Sequence, residues 1–165
     1  MELSNAGKDV YTALNGLIRE HHPDLLEISD QILVVFREKA PTPGGGQPII
    51  GKTSKAPPLI SSGLITANHS KYKFVITLGF DAWNMLTDRQ KTAQLDHNLC
   101  AISVDVDKED TIKYGLKQPD FVGYRAEVDR WGLWRPECEP EAPSLVEKMF
   151  GKPRHGDKTD DYDLD

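Results

Sequence analysis

The chain has 165 residues, of which 38% are hydrophobic and 28% charged, and it carries a net charge of −6. That length suits a single domain whose core needs no disulfide support, and the acidic balance argues against direct nucleic-acid binding, which normally uses a basic face. Cys100 and Cys138 are too few for a disulfide framework and stay as thiols in a reducing compartment. The N-terminus, MELSNAGKDVYTALNGLI, lacks the basic and continuously apolar segments of a signal peptide. No stretch approaches the ~20 apolar residues of a membrane span. A cytoplasmic location without a membrane partner is expected.

In chain order, the first element is a helix over 8–22, with Val10, Ala13, Leu14, Leu17 and Ile18 at helical spacing and Pro23 as its stop. "ILVVF" at 32–36 reads as a buried strand. The following "KAPTPGGGQP" is a loop, flexible over 40–48. A second strand starts at Ile49 and Ile50 and is broken by Pro57 and Pro58. "YKFVITL" at 72–78 is the clearest strand, with Phe74, Ile76 and Leu78 on one face. A short helix over 80–86 leads to Thr87, a suitable N-cap for a helix over 88–102 that turns Ala93, Leu95, Leu99 and Ile102 inward. The acidic stretch 104–113 reads as irregular. A helix over 120–131 ends at Gly132, and a last short helix is expected at 144–150. Helices and strands mix without a βαβ rhythm, so the class is α+β. One domain over 1–150 is followed by an acidic, disordered tail over 151–165, with four aspartates and no base in 159–165.

Three local patterns carry chemistry elsewhere. "GQPIIGKT", Gly46 to Thr53, satisfies the phosphate-loop spacing, yet Pro48 removes a needed N–H and Pro57-Pro58 prevents the helix that should follow. It reads as a strand between loops. "DVDKED" starts like a calcium loop, but Asp110 stands where the glycine belongs and Leu116 where the bidentate glutamate belongs. His97 and Cys100 share a helix face at i, i+3 and could touch one metal, with Cys138, Asp105 or His69 as further ligands. Two such ligands are a weak signal, and a buried cysteine is normally a small apolar group.

The run "YKFVITLGFDAWNMLTDRQKTAQLDHNLC" resembles the phage metallopeptidase family, whose pattern reads as a strand, D-A-W-x-x-L-T-x-x-Q-[RK], then a helix with D-H-E-L-C-H. "PDFVGYRAEVDRWGLWRPE" is similar to its second signature, H-D-V-E-E-F, about seven residues, then H-G-L-W, the approximate lengths being those of the family pattern. "HHPDL", "ILVVFREK" and "IIGKTSK" also fit, so the resemblance runs nearly to Glu137. It implies a small zincin-like domain with a central active-site helix. On that pattern His97 matches the first zinc ligand, Asn98 stands at the catalytic glutamate, and Ala101 at the second histidine. Pro119 takes the histidine of H-D-V-E-E-F, Val122 and Gly123 its two glutamates, and Trp131 the histidine before G-L-W. An amide is no general base near neutral pH, and alanine does not ligate.

His97, Asn98, Ala101 and Pro119 therefore read as a vestigial metal site, with no catalytic residue, metal or cofactor. The expected function is that of a non-catalytic family member in the host cytoplasm, binding and modulating or inhibiting a host protein such as a defence or transcription component. Trp131, Trp134, Arg135 and Trp83 are residue types enriched at interface hot spots, although tryptophans kept from a family pattern more often belong to the core. Two alternatives remain open: a zinc-dependent hydrolase rebuilt on His97 and Cys100, and an acidic decoy of nucleic acid presenting Asp105, Asp107, Glu109, Asp110 and the aspartate tail.

Overall fold

Alternation of buried and half-exposed residues from Ile32 to Arg37 is what a strand covered on one face requires, and that strand is one of the two inner strands of the protein's main sheet. A computed structural model of the chain describes residues 2–119, 124–132 and 134. In chain order these form β1 (Leu3–Asn5), α1 (Lys8–His21), a 3-10 segment (Pro23–Gln31), β2 (Ile32–Arg37), β3 (Gly51–Lys55), α2 (Pro58–Ser61) and β4 (Phe74–Gly79). There follow α3 (Phe80–Asn84), α4 (Asp88–Cys100), β5 (Ile102–Val106), β6 (Ile112–Leu116) and α5 (Arg125–Trp131).

The main sheet has the order β1-β2-β4-β3, with β2 and β4 parallel and both outer pairs antiparallel. Register places Val34, Ile76 and Thr53 in one row across three strands, and Phe36, Leu78 and Gly51 in the next. Both rows face α1 and α4. The core between them holds Val10, Leu14, Leu17 and Ile18 from α1, Val34, Phe36, Ile76 and Leu78 from the sheet, and Leu95 and Leu99 from α4. The fold is α+β.

Thr87 caps α4 as expected: its hydroxyl accepts from Gln90 N–H (3.2 Å), and Gln90 Oε1 accepts from Thr87 N–H (3.0 Å). Gly132 ends α5 with φ +64°, a left-handed conformation that costs glycine nothing.

Two expectations need correction. The helix expected to reach 102 stops at Cys100, and the stretch read as irregular is a hairpin, β5 paired with β6. Ile102, Val104 and Val106 pair with Leu116, Tyr114 and Ile112 at period two, and the acidic residues between the strands form the turn, which closes through Asp107, whose Oδ1 accepts from the N–H groups of Glu109 (2.8 Å) and Thr111 (3.0 Å). The expectations at 144–150 and for the acidic tail lie outside the described residues.

Candidate functional site

Helix α4 is buried on nearly every side, and three of its buried residues, Gln94, Asp96 and Asn98, are polar. A polar group removed from water needs partners, and each of these finds them on a different neighbour.

Asp96, with no exposure, is held on one flank of the helix. His22 Nε2, at the end of α1, donates to its Oδ1 (2.5 Å). Arg130 Nη1 (2.6 Å) and Trp131 Nε1 (2.9 Å), both from α5, donate to its Oδ2. Burial alone would push this carboxyl up, but the hydrogen bonds from His22, Trp131 and Arg130 outweigh it and hold it below the usual aspartate range. Arg130 Nη1 also reaches Cys100 Sγ at 3.7 Å. Burial, reinforced by the Asp96 charge, pushes the Cys100 thiol up to about 11, so it keeps its proton at neutral pH.

The opposite flank meets β3. Asn98 is 1% exposed. Its Oδ1 accepts from Gln94 Nε2 (2.8 Å) and its Nδ2 donates to Thr53 Oγ1 (3.3 Å), while Thr53 Oγ1 donates to the Asn98 carbonyl (2.7 Å). Helix and strand approach closely here because Gly51 has no side chain; a Cβ would lie 2.6 Å from Asn98 Oδ1.

Between the flanks, His97 Nδ1 donates to the buried carboxylate of Glu127 on α5, and the Tyr124 ring stands 5.1 Å from the imidazole. A carboxylate on one ring nitrogen fixes tautomer and orientation.

The residues singled out in the sequence fall in distinct places. His97 and Asn98 are adjacent but point at different partners, Glu127 and Thr53. Ala101 closes α4, and its carbonyl accepts from Lys117 N–H (2.9 Å), which brings the exit of β6, and so the exposed Pro119, to that end of the helix. Trp131 fills space beside Asp96 with Arg89 Nη2 bonded to its carbonyl (2.8 Å). Trp134 and Trp83 are buried, in keeping with a core role. Asp105 and Asp107 lie on the hairpin, and Arg135, Val122 and Gly123 lie outside the described residues. Sequence reasoning missed His22, Gln94, Asp96, Glu127 and Arg130. The spacing Gln94-x-x-x-Asn98 and the HH pair before Pro23 were the available signals.

The resemblance implied a small domain built on a central helix, and the structure is a small α+β domain in which α4 carries His97. The family model described as "Putative phage metallopeptidase" matches residues 1–152, and the chain belongs to that family. No curated protein and no solved structure matches it.

The zinc ion that such a family implies has a poor set of donors at the pattern positions. Asn98 turns away into its amide network, Ala101 has no donor atom, and one imidazole cannot replace the three or four ligands of a tetrahedral site. Among the described residues, the group able to offer three ligand atoms within 4.8 Å is a different one: His22, Asp96 and Cys100. The Arg130 guanidinium bonds to two of those three, placing a fixed positive charge where a cation would sit.

Proposed function

We propose that this chain is a non-catalytic member of the phage metallopeptidase family that works by binding a host protein. The observation that carries the reading is Asn98: at the position of the family's catalytic base stands an amide, 1% exposed, with both ends of its side chain engaged. It braces α4 against β3 and offers no proton acceptor to a bound water. The half-buried surface where His97, Ala101 and the exit of β6 converge is the proposed part of the binding face. The family's phage association supports a host protein as the target.

The test has two arms. Purified without chelator, the protein should contain well under one zinc per chain and should not cleave unfolded protein substrates. About one zinc per chain together with chelator-sensitive proteolysis would overturn the non-catalytic reading. For the partner captured from host lysate, Ala101→Arg should weaken binding, whereas charge reversal at Asp105 and Asp107 should not. The opposite pattern would favour the acidic decoy.

One observation favours a second reading, a hydrolase whose metal has moved: the His22, Asp96 and Cys100 group. It would require Arg130 to withdraw and the Cys100 thiol to ionise. Zinc bound stoichiometrically and lost in both His22→Ala and Cys100→Ser would establish it.

A further inference from the structure

The face of the main sheet turned away from α1 and α4 carries a pocket that the reading above does not use. Register sets Val35, Thr77 and Lys52 in one row across β2, β4 and β3, and Leu3, Arg37 and Gly79 in the next. Gly79 leaves a gap in its row, and Ala40 settles over it: a Cβ on Gly79 would stand 2.5 Å from the Ala40 Cβ. The chain beyond Ala40 then forms a wall. Ala40 N–H donates to Asp81 Oδ1 (2.7 Å), and Ile49 N–H donates to the Pro41 carbonyl (2.8 Å), so Pro41 and Ile49 are held side by side. The result is a pocket of about 450 Å³ lined by Leu3, Arg37, Pro41, Ile49, Lys52 and Thr77.

Its chemistry is lopsided. Among the described residues that line it, three are apolar, one offers a hydroxyl, two are cations, and none is acidic. Among the described residues neither Arg37 nor Lys52 forms an ion pair. Arg37 Nε is buried and finds no acceptor among the described residues, an expensive state for a charged donor. Two positive charges in a chain of net charge −6 thus converge on an apolar-walled hollow.

We propose that this pocket binds a phosphomonoester with an apolar or aromatic body. A phosphate dianion matches two cations where a single carboxylate would leave one uncompensated. The planar guanidinium suits bidentate phosphate contact, Lys52 supplies the point charge, and the Thr77 hydroxyl can donate a further bond. Leu3, Pro41 and Ile49 then face the body of the ligand. The volume lies within the range of small-molecule sites and suits a mononucleotide or a phosphorylated aromatic ring. Lys52 belongs to the "GQPIIGKT" stretch, yet it acts here from an extended strand, with no helix N-terminus and no glycine cradle.

Calorimetric titration of the full chain tests this, using phenyl phosphate, phosphotyrosine and adenosine monophosphate as probes. At least one should bind saturably at one per chain with a dissociation constant below about 1 mM; whichever binds tighter identifies the body. Phenol or adenosine, lacking the phosphate, should bind at least about tenfold more weakly, as should inorganic phosphate alone. Arg37→Met and Lys52→Met should each weaken binding about tenfold or more while the melting temperature holds, because neither side chain forms an ion pair among the described residues and methionine keeps the apolar stem. Arg37→Lys keeps the charge, loses the fork and should fall between; it replaces Arg37→Met if that variant does not fold. Absence of saturable binding, equal affinity for the phosphate-free probe or for inorganic phosphate, or indifference to all three variants would each overturn the proposal.

Discussion

Asn98 shows how one residue changes the meaning of a helix. Glutamate there would extend the side chain by a methylene and bring a charge into a site 1% exposed, against Gln94, Thr53 and Gly51. Burying that charge without a cation is costly. Asn98→Glu is therefore expected to lower stability by about 2–4 kcal/mol, measured by denaturant unfolding, and to gain no chelator-sensitive proteolysis. Cleavage by this single variant would mean that a metal site already exists. Cys100 provides a second check at this scale. With its thiol pushed up to about 11, only about one in a thousand is ionised at pH 8. Alkylation of Cys100, followed by peptide mass spectrometry at that pH, should be far slower in the folded protein than in denaturant.

At the scale of elements, the contact between α4 and β3 depends on Gly51. A methyl group there would meet Asn98, Gln94 and Leu78 side chains at 2.6–2.8 Å, so Gly51→Ala should cost about 1–3 kcal/mol by overpacking and move the thermal midpoint down by several degrees. Helices α1 and α4, the end of α5 and the central strands were legible in the sequence from their periods and punctuating residues, Pro23 after α1, Thr87 before α4 and Gly132 after α5, whereas the short α2 was not expected and α5 begins at Arg125 rather than 120. The hairpin β5–β6 was missed although its apolar residues alternate, Ile102, Val104 and Val106 facing Leu116, Tyr114 and Ile112, because its strands are half exposed and the run from Asp105 to Asp110 is acidic. The site was legible only along α4. His97 and Asn98 could be named from a local pattern, but Glu127 and Arg130 on α5, and His22 on α1, are brought to them by tertiary packing that no spacing within the chain encodes.

Across the whole molecule, Asp96 links α1, α4 and α5 through one buried carboxylate. Its folded-state pKa is depressed, so it stabilises the fold above the ordinary aspartate value of about 3.9 and loses that contribution as pH falls from there through the lower folded value. Asp96→Asn should flatten that acid limb in a stability-versus-pH series. At neutral pH it should cost about 3–5 kcal/mol, because Arg130 is left without its counter-charge. The partners of Asp96 are also far apart in time. His22 precedes it by 74 residues and Arg130 follows it by 34. A chain emerging from the ribosome at roughly 5–20 residues per second carries Asp96 in its central helix without the Arg130 guanidinium for some seconds. During that interval α1, the sheet and α4 can collapse but not lock, so nascent chains stalled before Arg130 should be protease-sensitive and those stalled well beyond it resistant. Helix α5, rather than the core, would then decide when the protein becomes durable.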